Sequence, residues 1–194
     1  MNVRFFVEGK ADRKFLMDYL FHLGYVEVSA VNFIELRGKT NIFNLQQQFL
    51  ISQEKGNKNL LFVDADSDFN KTREDVEKIK RQIGVEFELF IIPNNRDIGN
   101  LETLLEQIIN LEHKPLLECF ENYKQCLISK SNPSYKIPDA KSKIFAYLDA
   151  LLLKKEDEKL AKEENRDYRN AEHWNLNALY LEPLKNFLQT HLNS

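Results

Sequence analysis

The sequence predicts an α/β fold with about four mainly parallel strands, flanked by helices and followed by a C-terminal helical extension. Short apolar runs alternate with helical patterns through the first 110 residues, which is typical of a parallel sheet. From residue 111 onward only helical spacing recurs. Acidic residues also follow two of the predicted strands, so we expect them at the carboxyl edge of the sheet, where α/β proteins bind ligands.

The first half supplies the predicted strands. A strand over residues 3–7 opens into Glu8 and Gly9, and a helix with an apolar stripe follows over about residues 11–23. Residues 26–36 alternate as a strand does, and the turn at Gly38 and Lys39 starts a helix to about residue 52. The remaining predicted elements are strands at 60–63 and 87–92 and helices at about 72–83, 116–126, 141–153 and 181–192.

The third strand ends in two aspartates that predict a metal site. Asp64 and Asp66 are two residues apart, and such positions along a strand share one face. Two adjacent carboxylates repel each other, whereas a hard ion such as Mg²⁺ allows both to stay charged. Glu8 stands at the end of the first strand, so we expect it to approach the same edge.

A Glu-Gly turn after the first strand, followed by Asp-x-Asp after a later strand, resembles the Toprim pattern of topoisomerases, primases and overcoming-lysogenization-defect nucleases. The chain is similar to a small family of stand-alone bacterial and archaeal Toprim-like proteins of uncharacterised function. The resemblance covers stretches at both ends of the chain, namely VEGKADRKFL (7–16), LLFVDADSDF (60–69), FIIPNNRDIGNLETLLEQI (90–108), KSKIFAYL (141–148) and HWNLNALYLEPLKNFL (173–188).

The resemblance implies a Toprim-like Rossmannoid fold and assigns roles to individual residues. Glu8 would be the acid of the first motif, Asp64 and Asp66 the paired metal ligands, and Asp68 a less strict third acid. Glu102 would match the acid that follows the next strand in the related nucleases. An acid in the first turn of a helix also interacts favourably with the helix dipole, so this structural explanation of Glu102 stays open.

The resemblance also implies a lysine near the reacting phosphate, at Lys141 or Lys143. We prefer Lys141, which follows Asp139 and Ala140 at the start of a predicted helix. The formal net charge is −3, so the chain does not attract nucleic acid by overall charge. We expect a local basic group that includes Lys10 and Lys39, with Lys143, to contact nucleic acid, although solvated lysines on exposed faces would give the same pattern.

The function implied is Mg²⁺- or Mn²⁺-dependent hydrolysis of a phosphodiester bond in DNA or RNA, with Glu8, Asp64, Asp66 and Lys141 as catalytic residues. Related nuclease domains are often joined to ATPases, so a separately encoded ATPase is an expected partner, in defence against phage. The sequence contains no GxxxxGK[ST] loop with which the chain would itself hydrolyse ATP. The alternative is a module that binds nucleic acid or a partner through a degenerate metal site.

We predict a single Toprim-like domain over residues 1–194, with an α/β core at 1–110 and a helical extension at 111–194. A homodimer is left open. The charge-dense run at 154–170 is expected to be a solvated helix or loop without function. The sequence has no apolar run of membrane-spanning length and no secretory pattern, and Cys119 and Cys126 are too far apart on a helix to form a disulfide. These observations predict a cytoplasmic protein without membrane contact.

Overall fold

A four-stranded parallel sheet organises the protein. The structure is a computed structural model that describes residues 2–192, apart from the side chain of Glu156. The strands are β1 (Val3–Val7), β2 (Phe33–Glu35), β3 (Lys58–Asp64) and β4 (Glu88–Ile92). Their order is β2-β1-β3-β4, and all three pairings are parallel. The predicted α/β class with a largely parallel sheet is confirmed.

Helices flank this sheet and form the predicted C-terminal extension. Within residues 2–192 the α-helices are α1 (Lys10–His22), α2 (Gln46–Glu54), α3 (Phe69–Ile83), α4 (Leu101–Gln107), α5 (Lys114–Ser129), α6 (Ala140–Leu151) and α7 (Glu182–Leu192). In this part of the chain no helix has both the length and the apolar character needed to cross a bilayer. Cys119 and Cys126 are exposed and unbridged on α5.

Alternating strand residues build two apolar cores, one on each face of the sheet. The first core combines Phe5, Phe62 and Phe90 with buried residues of α1, α4, α6 and α7 and with Trp174. The second core combines Phe6, Leu61 and Ile91 with residues of α2 and α3. Because side chains alternate along a strand, this division follows directly from the apolar run of each strand. The C-terminal extension therefore packs on the α1 face of the sheet.

The strand order creates a switch point between β1 and β3. From β1 the chain moves to β2 through α1, whereas from β3 it moves in the opposite direction to β4 through α3. Right-handed crossovers in opposite directions place their helices on opposite faces of a sheet. The loops after β1 and β3 therefore separate and leave a crevice at the carboxyl ends of these two central strands.

The second strand is shorter than its sequence pattern predicts. Only Phe33–Glu35 pairs with β1, although residues 26–36 alternate. Val26 and Val31 are exposed, and the side chain of Asn32 accepts a hydrogen bond from the backbone N–H of Ser29 at 3.0 Å. This local bond holds a 3₁₀ turn in place of extended chain, as asparagine side chains often do. The prediction for residues 26–32 was therefore wrong.

The charge-dense run also differs from its prediction. It forms 3₁₀ turns over Lys155–Ala161 and Glu163–Asn165, and several of its residues join the protein interior. Ala161, Arg166 and Tyr168 are buried, and the backbone N–H of Tyr168 donates to Asp18 of α1 at 2.9 Å. The sequence did not indicate that these three residues are buried, because most of their neighbours along the chain are charged.

Because the first core contains residues of both halves, we expect the chain to unfold in one transition. Fluorescence of Trp174, the single tryptophan, should follow the same urea transition as far-ultraviolet circular dichroism. Leu188→Ala in α7 should lower the free energy of unfolding by about 2–5 kcal/mol and shift both signals together. Leu179→Ala, at an exposed position, should change it by less than about 0.5 kcal/mol. Two separate transitions would contradict a single cooperative domain.

Candidate functional site

Acidic side chains meet at the carboxyl ends of β1 and β3. Asp64 is the last residue of β3, and its backbone N–H donates a hydrogen bond to Oε1 of Glu8 at 3.2 Å. Glu8 directly follows β1, which is hydrogen-bonded to β3. The predicted approach of the two strand ends is therefore present. We call Glu8, Asp12, Asp64, Asp66 and Glu102 the acidic cluster, since the charges of the other four all raise the pKa of Asp64.

Asp12 is the member that the sequence prediction missed. It lies one helical turn after Glu8, in the first turn of α1, and its Oδ2 accepts from the backbone N–H of Gly9 at 2.9 Å. The side chain is nevertheless buried, and burial together with the charges of Glu8 and Glu102 raises its pKa to about 7. The sequence signal was the four-residue spacing from Glu8 to Asp12. It is easily taken for a helix cap alone.

Asp64 is the most perturbed acid of the cluster. Burial raises its pKa to about 9, and the nearby charges of Asp12 and Glu8 act in the same direction. Its Oδ1 is buried and has no hydrogen-bond partner among the described residues. An unpaired buried carboxylate oxygen is costly, and the cost is removed by a proton or a bound cation.

Asp66 lies just beyond the strand, in a loop held by backbone pairing. It adopts a left-handed conformation with φ of 54°, and it exchanges two hydrogen bonds of 2.8 Å with Gly99. Strand alternation predicted that Asp64 and Asp66 share one face of β3. This is wrong for Asp66, because β3 ends at Asp64. Asp66 still reaches the cluster, where its charge raises the pKa of both Asp64 and Glu8.

Lys39 brings a positive charge to the same edge. Its Nζ lies 2.5 Å from Oδ2 of Asp66 and also donates to the backbone carbonyl of Asp64 at 3.5 Å and to Oγ1 of Thr72 at 3.3 Å. Its charge lowers the pKa of Glu8 and opposes the larger effect of burial. The prediction that Lys39 lies at this edge of the sheet agrees with this position.

Glu102 and Asp68 occupy helix starts of different kinds. Glu102 lies in the first turn of α4, and its charge raises the pKa of Asp12 and Asp64. Glu102 therefore has the position that favours the helix dipole, and its charge also acts on other acids of the cluster. Asp68 is exposed, and its Oδ1 accepts from the backbone N–H of Lys71 at 2.9 Å, which caps α3. That contact accounts for Asp68 without a metal.

The two candidate lysines of α6 are placed differently. Lys141 forms an ion pair of 2.5 Å with Glu163, and the charge of Glu102 raises its pKa. Lys143 instead pairs with Glu106 at 3.0 Å and Glu121 at 3.7 Å, between α4 and α5. One member of the acidic cluster, Glu102, therefore acts on Lys141. Lys10 is exposed at the start of α1.

The cluster offers the carboxylate oxygens that Mg²⁺ and Mn²⁺ prefer. The unpaired Oδ1 of Asp64 and the nearby Glu8 fit such an ion. Within residues 2–192 no three His, Cys, Asp or Glu side chains are already spaced as a ligand set. Oδ2 of Asp66 is paired with Lys39, so an ion bound by Asp66 would compete with this cation.

A groove of about 320 Å³ lies next to Lys39. It runs between the 3₁₀ segment Lys39–Leu45 and α3, and its lining includes Thr72 and the half-exposed ring of Phe43. A lysine beside an exposed aromatic ring can contact a phosphate while a base stacks on the ring. The groove could therefore hold part of a nucleic-acid strand.

Without divalent ions, the free energy of unfolding should fall as pH rises from about 4 to about 9. The folded-state pKa values of Asp12, about 7, and Asp64, about 9, lie above the roughly 3.9 of an unfolded aspartate. The folded state thus keeps protons that the unfolded chain has released, and this advantage is lost as pH rises through those values.

The test is urea unfolding in EDTA at several pH values. Asp64→Asn should flatten the profile and be more stable than the wild type at pH 8, because an amide is neutral without taking up a proton that the unfolded chain has released. Asp149→Asn, at an exposed position on α6, should follow the wild type. A profile of Asp64→Asn parallel to the wild type would contradict the prediction.

Comparison with known proteins identifies one family. Residues 2–193 match the family model described as "Protein of unknown function (DUF3226)". No curated protein matches the chain, and no solved structure does. Since the match spans nearly the whole sequence, the chain belongs to the DUF3226 family.

Proposed function

We propose that this protein is a Mg²⁺- or Mn²⁺-dependent nuclease of the Toprim type, which hydrolyses a phosphodiester bond in nucleic acid. The observation that carries the proposal is the buried Oδ1 of Asp64, which has no hydrogen-bond partner among the described residues, at the switch point of the sheet, where the charges of four further acids raise the pKa of Asp64. Such crowding is unfavourable in a purely structural role, whereas bound divalent ions would compensate it.

Asp64 and Glu8 would hold the first ion, and the charges of Asp66, Asp12 and Glu102, which raise the pKa of Asp64, would add to the attraction. A bound ion would polarise the phosphodiester and stabilise charge on the attacking and leaving oxygens. Asp68 was a candidate ligand by resemblance, and its capping bond to Lys71 makes it the weakest member of the predicted set.

Glu8 is suited to accept a proton from the attacking water. Burial raises its pKa above the ordinary value, which brings it closer to the pH at which a general base works well. Lys39 and Lys141 would stabilise charge on the phosphate oxygens, since both lie beside the cluster.

A nucleic-acid strand fits this edge in spite of the net negative charge of the chain. Lys39 and the groove beside it offer a phosphate contact and an aromatic surface, and exposed Lys10 lies two residues from Glu8. Lys143 is held by Glu106 and Glu121 and is less available for such a contact. The resemblance to overcoming-lysogenization-defect nucleases suggests a separate ATPase partner, a cytoplasmic location and a role in phage defence.

The alternative is a module that binds nucleic acid or a partner protein without cleavage. The observation that favours it is the ion pair of Lys39 with Asp66, which compensates part of the cluster without a metal. The two proposals differ in a simple measurement, because only the nuclease converts a strand to shorter products.

The isolated protein in Mn²⁺ should cleave at least one of single-stranded DNA, duplex DNA and RNA. Asp64→Asn and Asp66→Asn should lower the cleavage rate by about a hundredfold or more, because each removes a charge at the proposed ion. Asp149→Asn makes the same change on the exposed side of α6 and should cleave as the wild type does. Unchanged cleavage by Asp66→Asn would refute the nuclease proposal. If the wild type binds nucleic acid tightly without cleaving it, the binding module is favoured.

Lys39→Met should separate metal binding from catalysis. Removing this cation should raise the affinity for Mn²⁺ several-fold, since Lys39 pairs with Asp66 and its charge opposes that of an ion. The same variant should cleave more slowly, because a phosphate contact is lost. Metal affinity is measured by the Mn²⁺ dependence of thermal unfolding, since an ion that binds only the folded state raises its stability.

Lys185→Met is the matched control for this variant. It removes the same charge from α7, where Lys185 pairs with Glu182. Both Mn²⁺ affinity and cleavage should stay at the wild-type level. If Lys39→Met binds Mn²⁺ more weakly than the wild type does, Lys39 supports the metal site in another way and the proposed competition is wrong.

A further inference from the structure

The groove beside Lys39 combines apolar and polar side chains. Val76 and Ile79, three residues apart on one face of α3, line it from the helix. Thr40 and Phe43 line it from the 3₁₀ segment, where a spacing of three residues also brings side chains to one face. Its volume of about 320 Å³ is near the lower end of the roughly 300–1,000 Å³ of small-ligand sites. This size suits a single nucleotide base.

Phe43 presents an open aromatic ring to the groove. The residue is 46% exposed, whereas its neighbour Ile42 is fully buried in the second core. Another exposed phenylalanine, Phe21, is covered by the guanidinium of Arg169 at 4.9 Å. Within residues 2–192, Phe43 contacts neither a second ring nor a cation in this way. Its aromatic face is therefore available to stack on the ring of a ligand.

Lys39 connects the groove with the acidic cluster. Its Nζ lies 2.5 Å from Oδ2 of Asp66 and 3.3 Å from Oγ1 of Thr72, which itself lines the groove. Lys39 and Phe43 are four residues apart in the 3₁₀ segment, or about 8 Å along its axis at roughly 2.0 Å per residue. One nucleotide spans such a separation, with its phosphate at the lysine and its base at the ring. Exposed Lys78 also lines the groove and offers a second cation to the strand.

We propose that the groove beside Lys39 binds one unpaired base of a single-stranded nucleic acid, with Phe43 stacked on the base and Lys39 on the adjacent phosphate. In a duplex the neighbouring pairs cover both faces of a base, whereas a single strand leaves faces open for an aromatic side chain. The two lysines complement the phosphates of a strand, which an apolar peptide lacks. The proposal rests on the proposed function for the phosphate at the acidic cluster, and it adds the substrate class.

Binding is measured by fluorescence anisotropy with a labelled DNA strand, the RNA strand of the same sequence and the duplex of each. The medium contains EDTA or, in a second series, Ca²⁺, which carboxylate oxygens also bind. The wild type should bind at least one single strand more tightly than the corresponding duplex. Phe43→Ala should bind that strand about tenfold more weakly, because the stacked ring is lost. Phe43→Trp should bind it at least as tightly as the wild type does, since its ring is larger.

Phe145→Ala is the matched control. Phe145 is 47% exposed on α6, which packs on the opposite face of the sheet, so this variant should bind the strand as the wild type does. Phe43→Leu keeps an apolar side chain and should bind as weakly as Phe43→Ala does. The contrast between Phe43→Leu and Phe43→Trp separates stacking from packing, and circular dichroism shows that each variant is folded.

Equal affinity of Phe43→Ala and the wild type for the strand overturns the proposal, as does equal affinity of the wild type for strand and duplex. An equal loss in Phe145→Ala also overturns it. If the wild type binds no probe in either medium, the base site is refuted, and the groove would then suit an apolar peptide.

The same variants separate this proposal from the nuclease itself. Strand binding that depends on Phe43, without cleavage in Mn²⁺, would keep the base site and refute the nuclease. Cleavage of single strand and duplex alike in Mn²⁺, at the same rate in Phe43→Ala, would keep the nuclease and refute the base site.

Discussion

The pairing of β1 with β3 is the contact on which the rest of the structure depends. It places Glu8 against the backbone N–H of Asp64 and sends the following loops to opposite faces of the sheet. The crevice and its crowded acids follow from that single pairing. The apolar run at each central strand, buried on both faces, provides the driving force, because two helical layers must cover it.

Charge balance then explains how the two halves of the chain cooperate. The α/β half contributes the five acids and Lys39, which pairs with Asp66, while Oδ1 of Asp64 has no hydrogen-bond partner among the described residues. The helical extension contributes Lys141, which pairs with Glu163. The two halves of the chain thus bring charges of opposite sign into electrostatic range, since the charge of Glu102 acts on Lys141.

Local patterns allowed much of the fold and part of the site to be predicted. The alternation of strands and helices was visible because each element carries its own period, and Glu8, Asp64 and Asp66 stood out because they directly follow strands. The prediction of a strand failed for residues 26–32. Val26 and Val31 are exposed there, and the hydrogen bond to the Asn32 side chain favours a turn over an extended strand. It also omitted Asp12, whose position looks like a helix cap until its burial is known.

The sequence by itself determined the class of fold, the parallel sheet and the acids at strand ends, because these depend on period and spacing over a few residues. Only the tertiary structure decided which strands are neighbours, that Asp12 joins the cluster, and that Lys141 pairs with Glu163 whereas Lys143 pairs with Glu106. It also decided that Arg166, within a charged run, is buried. Burial and the approach of distant charges depend on how the layers pack, and no local pattern records that packing.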